Sequence, residues 1–345
     1  MRPADERGIV TDCPDAKPAG DGLRIPHWVD KALLVAGLVL FGYVISRYPL
    51  GQIESAVASM WPGVALTPLI ALSWFAFGSS SLYLLLDRKV RWLRVLWIRL
   101  VGDSYNSLLP FAGFGGEPFK VRQLGRSLAP ADVMATLIRD RIVDNAMGFA
   151  FGATELAIGL TGYAVDARLR VALIGYIAVC GVLGVLGIAL VRTRLPGKLG
   201  GWLASLLGGT APDQIMPLPV ARLVQAIACC LVARTLGVLE KLTLLWVLGE
   251  RHDLVTAAFV DGMLNAVGYV SFMVPQGLGV FEGTSVFVLG IVGAPGPLAI
   301  AFALAGRGRM LVVGLFGVSL HLAAIARDAI TDRARARARA RARER

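Results

Sequence analysis

VALIGYIAVCGVLGVLGIALV (171–191) carries no acidic or basic side chain from end to end. Its length is close to the ~20 apolar residues that a helix needs to cross a hydrocarbon core of ~30 Å. Stretches 31–47, 63–86 and 254–274 approach that length too. Inside a bilayer each backbone N–H and C=O must be satisfied within the protein, which selects helices for such runs. The composition agrees: 345 residues, 56% hydrophobic and 17% charged, with a mean hydropathy of +0.65. A soluble domain could not bury so much apolar side chain in one core. The sequence predicts an all-α fold, a polytopic integral membrane helical bundle.

Hydropathy gives seven long helical segments, at 31–47, 63–86, 131–163, 170–191, 219–248, 254–274 and from 297 to about 327. Two half-length pieces, 93–109 and 284–293, flank glycine-rich stretches. Seven crossings would leave the termini on opposite sides, whereas the charges favour both inside. One half-length piece is therefore expected to cross, for about eight spans, and the other to be re-entrant. The linker 192–218 reads as a cytoplasmic loop with an interfacial segment around 199–207. Residues 1–30 mix both signs of charge without an apolar run and read as a disordered cytoplasmic leader. Residues 31–327 form the transmembrane domain, and 328–345 an arginine-rich tail.

Net charge is +11. Arg88, Lys89, Arg91, Arg94 and Arg99 follow the second span, and Lys120, Arg122 and Arg126 the first glycine stretch. With Arg192, Arg194 and Lys198 they mark cytoplasmic ends and predict a multi-pass protein of the bacterial inner membrane, both termini cytoplasmic. Beside a membrane helix such a tail is expected on anionic lipid or in solvent, not on nucleic acid. Cys180, Cys229 and Cys230 lie in apolar helices and Cys13 in the leader, without metal or disulfide spacing. No cofactor or metal is expected.

The two glycine stretches share a pattern. Pro110 is followed by Gly113, Gly115, Gly116 and then Glu117; Pro275 is followed by Gly277, Gly279 and then Glu282. Each glutamate stands seven positions after its proline. Proline and glycine break a helix and expose backbone polar groups, which membranes tolerate where the backbone is enclosed or lines a wet cavity. Paired breaks in two halves form a pseudo-repeat that points to a transporter's central site. Ordinary surface turns, with the glutamates as helix N-terminal charges, are the alternative.

Charged residues within spans need partners or a purpose. RDRIVDN (139–145) puts Asp140, Arg141 and Asp144 on one helical face. Snorkelling at the boundary and an inward network both fit it. Arg234 and Lys241 lie inside 219–248, as a structural ion pair or a site for a lipid phosphate. Asp261, Asn265 and Tyr269 recur every four residues, as polar glue or site. Arg307 and Arg309 interrupt the last helix, and His321 reads as a satisfied core histidine. GxSxG, HExxH and Walker motifs are missing, which weakens an enzyme reading.

These segments resemble a known family. NSLLPFAGFGGEPFKVRQL (106–124), RDRIVDN (139–145) and VPQGLGVFEG (274–283) look like signatures of the lysylphosphatidylglycerol synthase transmembrane-region family, over roughly 30–327. The matching positions are Pro110, Gly116, Glu117, Arg122, Arg141, Asp144, Pro275, Gly277, Gly279 and Glu282. The resemblance implies a flippase-like domain associated with lipid translocation. Some members carry a soluble aminoacyl-transfer domain, and others stand alone in hopanoid or glycolipid pathways. Only the arginine-rich tail follows 327 here, so a stand-alone member without lysyl transfer is expected.

The expected function is translocation of a lipid with an anionic, glycosylated or aminoacylated headgroup through a central polar cavity. Glu117, Arg122, Arg141, Asp144, Arg234, Lys241, Asp261 and Glu282 would serve it. The expected partners are membrane lipids, with a homo-oligomer or lipid-synthesis proteins left open. A membrane enzyme acting on a lipid or polyprenyl headgroup, and an accessory scaffold, are the alternatives.

Overall fold

The computed structural model describes residues 43, 46, 50–59, 61–108, 116–206, 218–249, 253–271, 274 and 277–343. No strand occurs among them; they form helices and turns. In chain order these are α1 (Leu50–Ser59), α2 (Trp61–Leu85), α3 (Trp92–Leu108), α4 (Glu117–Leu124), α5 (Pro130–Gly162) and α6 (Ala167–Val191). Then follow α7 (Leu195–Leu206), α8 (Val220–Val247), α9 (Leu254–Val270), α10 (Val280–Val292) and α11 (Gly296–Arg343). Among the described residues four stretches are long and apolar enough to cross a membrane: Ala65–Leu85, Ala167–Val191, Val220–Val247 and Gly296–Arg327. Leu254–Val270 and Val280–Val292 are shorter apolar helices. The chain is a polytopic helical membrane protein.

Local chemistry sets the helix ends. Pro130 opens α5, where its missing N–H leaves no helical bond unmade. Asp166 accepts from the Arg168 N–H at the start of α6, and Asp253 accepts from Thr256 at the start of α9. Gly279 caps α10 at φ +76°, and Gly293 ends it at φ +99°; both lie in the region that L side chains avoid.

Packing follows from the apolar faces. Helix α2 lies along α8, α5 along α6 and α9, and α11 along α3, α10 and α1. Phe259, Phe302, Leu244, Leu245 and Leu289 form a buried core where α8 to α11 meet. Leu82, Ile98, Leu124 and Val133 form another among α2 to α5. Helix α6 is the opposite case: only 17% of its most apolar window is buried inside the protein. Val171, Val179, Val182 and Val185 point outward there, as a lipid-facing surface requires.

Several segment boundaries shift. Arg307 and Arg309 do not interrupt the last helix; α11 runs unbroken from Gly296 to Arg343, across the boundary placed between 327 and 328. Buried carboxylate partners, described below, remove the cost that an interruption would have avoided. Helix α9 ends at Val270, short of 274. Helix α7 forms in the linker where an interfacial segment was expected. Helix α1 was not foreseen, because ten residues fall below the length that bilayer-scale hydropathy detects. The leader, most of the first span 31–47, Pro110, Gly113, Gly115, Pro275, Cys13 and linker residues 207–217 lie outside the described residues.

Candidate functional site

Five helices bring charged side chains to one cavity of about 460 Å³, and a sixth adds aromatic ones. Its wall takes Arg99 and Asp103 from α3, Arg141 and Asp144 from α5, and Arg234, Glu240 and Lys241 from α8. Asp261 and Asn265 come from α9, Arg309 from α11, and Trp74 and Phe75 from α2. Five cations face four carboxylates in that wall.

None of these cations stands alone, because burying an unpaired charge costs several kcal/mol. Arg99 donates to both oxygens of Asp140 at 3.1 and 3.2 Å and to the Gly78 carbonyl at 2.8 Å. Its Nε lies 3.6 Å from Asp103. Lys120 continues the chain, donating to Asp103 at 2.6 Å and to Glu117 at 3.0 Å. Glu117 also accepts from Arg141. In the second half, Arg234 donates to the Asp144 carbonyl at 3.0 Å and to its carboxylate at 3.2 Å. Lys241 sits 3.2 Å from Asp261 and 4.0 Å from Glu240, whose other oxygen is 2.8 Å from Arg309. Asn265 donates to Asp261 at 3.0 Å. Six cations and six carboxylates thus form a balanced network, with more of the cations brought to the cavity wall.

A second cavity of about 440 Å³ shares Asn106, Ser107 and Arg309 with the first. Its wall is chiefly apolar: Leu264, Val267, Val274, Val280, Phe281 and Met310, with Arg307 and Thr284. A charged chamber and an apolar chamber therefore adjoin.

The paired glutamates behave differently from the expectation that they face the cavity. Neither is in the wall of either chamber; each holds an arginine that is. Glu117 binds Arg141 of the charged chamber. Glu282 is fully buried, accepts from Arg307 Nε at 2.8 Å, and so fixes an arginine of the apolar chamber. Arg307 also donates to the Gly277 carbonyl at 2.9 Å. The pseudo-repeat is not matched in helical register either. Glu117 is the first residue of α4, whereas Glu282 is the third of α10 and accepts from the Gly279 N–H at 2.7 Å. Gly116 serves close packing: a Cβ there would meet the Gly102 carbonyl oxygen at 1.8 Å.

Among the other expected residues, Arg141, Asp144, Arg234, Lys241 and Asp261 meet in the charged chamber. Arg122 does not; it is exposed on the outer side of α4. Asp140 and Asp144 form an inward network rather than a snorkelling boundary cluster. His321 is satisfied, with Nδ1 2.7 Å from the Tyr105 hydroxyl and Trp97 and Phe119 edge-on to its ring. Cys180 and Cys230 are buried free thiols.

Sequence reading missed Arg99 and Lys120, which it assigned to the cytoplasmic surface, and it missed Asp103 and Glu155. Arg99 and Asp103 are four apart, a spacing that places both on one helical face. A lone acid in an apolar run, as Glu155 is, carries the same signal.

Fold and cavity together define a polytopic helical membrane protein with an internal ionic site. The family model for the lysylphosphatidylglycerol synthase TM region matches residues 28–317, and the chain belongs to that family. It relates the chain to membrane lipid headgroups, in their modification or translocation. No curated protein matches the chain.

Proposed function

We propose that the protein is a lipid translocator of the flippase type, which binds the headgroup of an anionic phospholipid in the charged chamber. The observation that carries this reading is the joined pair of chambers, one lined by Arg141, Arg234, Lys241 and Arg309, the other mostly apolar. Such a pair suits an amphiphile: its phosphate finds cations at one end and its glycerol and proximal acyl carbons find apolar side chains at the other. Arginine forks and a lysine point charge are the usual donors to phosphate. Because each cation already has a carboxylate partner, a phosphate must compete, which favours weak binding and release. In this reading the protein resides in the cytoplasmic membrane with both termini inside.

Reconstitution into liposomes with headgroup-labelled phosphatidylglycerol tests the proposal. Movement of label between leaflets, without change in lipid mass, is the expected result. A new lipid product by mass spectrometry would instead assign a headgroup-modifying enzyme. Neither movement nor product would leave an accessory scaffold.

A further inference from the structure

The five cations in the wall of the charged chamber are not held alike. Taking one partner out of a buried ion pair strands the other, at a high cost. If Arg99 left for a ligand, Asp140 would lose its cation, and if Arg234 left, Asp144 would lose its own. No second cation pairs with either acid among the described residues. Without Lys241, Asp261 would keep the Asn265 amide at 3.0 Å but no cation among those residues. Without Arg309, Glu240, 2% exposed, would depend on Lys241 at 4.0 Å.

Arg141 is the exception. It donates to Glu117 Oε1, and that same oxygen accepts from Lys120 Nζ at 3.0 Å and from Asn106 Nδ2 at 3.4 Å. When Arg141 swings away, Glu117 therefore keeps a cation. The Arg141 side chain is 42% exposed, against 12% to 23% for the other four. Lys120 is the opposite case. It is buried, lies outside the wall, and is fixed by a second ion pair to Asp103 at 2.6 Å. Its stem rests on Gly102, where a Cβ would meet Lys120 Cε at 2.6 Å. Glu117 itself opens α4 directly after Gly116, whose N–H donates to Asn106 Oδ1 at 2.6 Å. Asn106 lines both chambers, so Arg141 is parked beside their junction.

We propose that Glu117, Lys120 and Arg141 form an exchange latch: Arg141 leaves Glu117 for the lipid phosphate, and Lys120 holds Glu117 while it is away. The guanidinium fork then meets two phosphate oxygens in place of one carboxylate oxygen. Release runs backward, as Glu117 draws Arg141 off the phosphate. Arg99, Arg234, Lys241 and Arg309 stay on their carboxylates and donate only the N–H groups they have to spare. The identity of the anion rests on the reading of the chamber as a headgroup site; the unequal hold on the five cations does not.

Full-length protein in detergent is titrated by calorimetry with short-chain phosphatidylglycerol and, separately, with inorganic phosphate. R141M should weaken binding about tenfold. E117Q removes the charge that competes for Arg141 and should tighten binding about three- to fivefold, the worth of a part-exposed ion pair. K120M leaves Glu117 to Arg141 and should weaken binding by a similar factor, although Lys120 is not in the wall. Neither change should act in an R141M background, where no arginine is left to exchange; a plain field effect of the two charges would persist there. R141M should also melt close to wild type, while R99M, which strands Asp140, should melt well below it. Lipid binding that E117Q leaves unchanged, or a shift that persists in R141M, overturns the latch while the headgroup reading stands. An R141M melt as low as that of R99M overturns the latch as well. The E117Q pattern with inorganic phosphate, but no binding of the lipid, keeps the exchange and sinks the headgroup reading. Binding of neither ligand sinks both.

Discussion

Replacing Glu282 by Gln should destabilise the protein far more than removal of a cavity-facing carboxylate would. Glu282 is fully buried and Arg307 is 15% exposed, with Nε and Oε1 2.8 Å apart. Gln keeps an oxygen for the Gly279 N–H, which Glu282 holds at 2.7 Å. It loses the charge opposite the guanidinium, and its NH2 competes as a second donor. Removing one partner of a buried pair costs about 3–5 kcal/mol. The lower end applies here, because Arg307 keeps the Gly277 carbonyl at 2.9 Å. At roughly 2 °C per kcal/mol for a large chain, a cost of about 3 kcal/mol lowers the melting temperature by about 6 °C. Arg307→Met should cost a similar amount, by leaving the buried carboxylate without its cation. The double variant should recover much of the loss, with a coupling of about 2 kcal/mol or more. A thiol-reactive fluorogenic dye suits the measurement, since Cys180 and Cys230 are buried in the fold and exposed on unfolding. Additive losses, with coupling below about 0.5 kcal/mol, would refute the lock and return Glu282 to the cavity.

Arg234→Met and Lys241→Met should each weaken phosphatidylglycerol binding about tenfold, the effect of a charge-assisted hydrogen bond of ~1.5 kcal/mol, as read by calorimetry. Glu155→Leu should raise the melting temperature by relieving a buried carboxyl group whose oxygens have no donor, worth ~1–3 kcal/mol. Gly116→Val should melt well below wild type, because even a Cβ would overlap the Gly102 carbonyl; failure to do so would mean that α3 and α4 can separate freely. Asp253→Ala should cost about 1 kcal/mol by removing the α9 cap. The backbone N–H of Thr256 holds the Asp253 carboxyl below its ordinary value of 3.8, and burial opposes it only in part. A depressed value means that the cap's contribution is whole above that ordinary value and fades as pH falls through the lowered one. The difference between wild type and Asp253→Ala should therefore shrink in acid, and a constant difference would count against the cap.

The family signature and the run of bilayer-length helices were legible because both are local. An apolar run such as 171–191 fixes its own helix, since hydrocarbon offers the backbone no other partner. Asp140, Arg141 and Asp144 showed their common face through spacing alone. Local spacing misled where the partner lies far along the chain. Arg99 and Lys120 read as surface charges beside other basic residues, yet Arg99 meets Asp140 and Lys120 meets Asp103. Both glutamates after the glycines looked equivalent, yet they differ by two positions within their helices.

By itself the sequence determined that the chain lives in a membrane, where its long apolar segments lie, and that charges within them need partners or a purpose. Only the tertiary structure decided which charges pair, and so which of them face the cavity. Pairing depends on the rotation and depth of each helix against its neighbours. Those are set by packing, such as Gly116 on Gly102 or Gly262 on Glu155, which no local periodicity encodes.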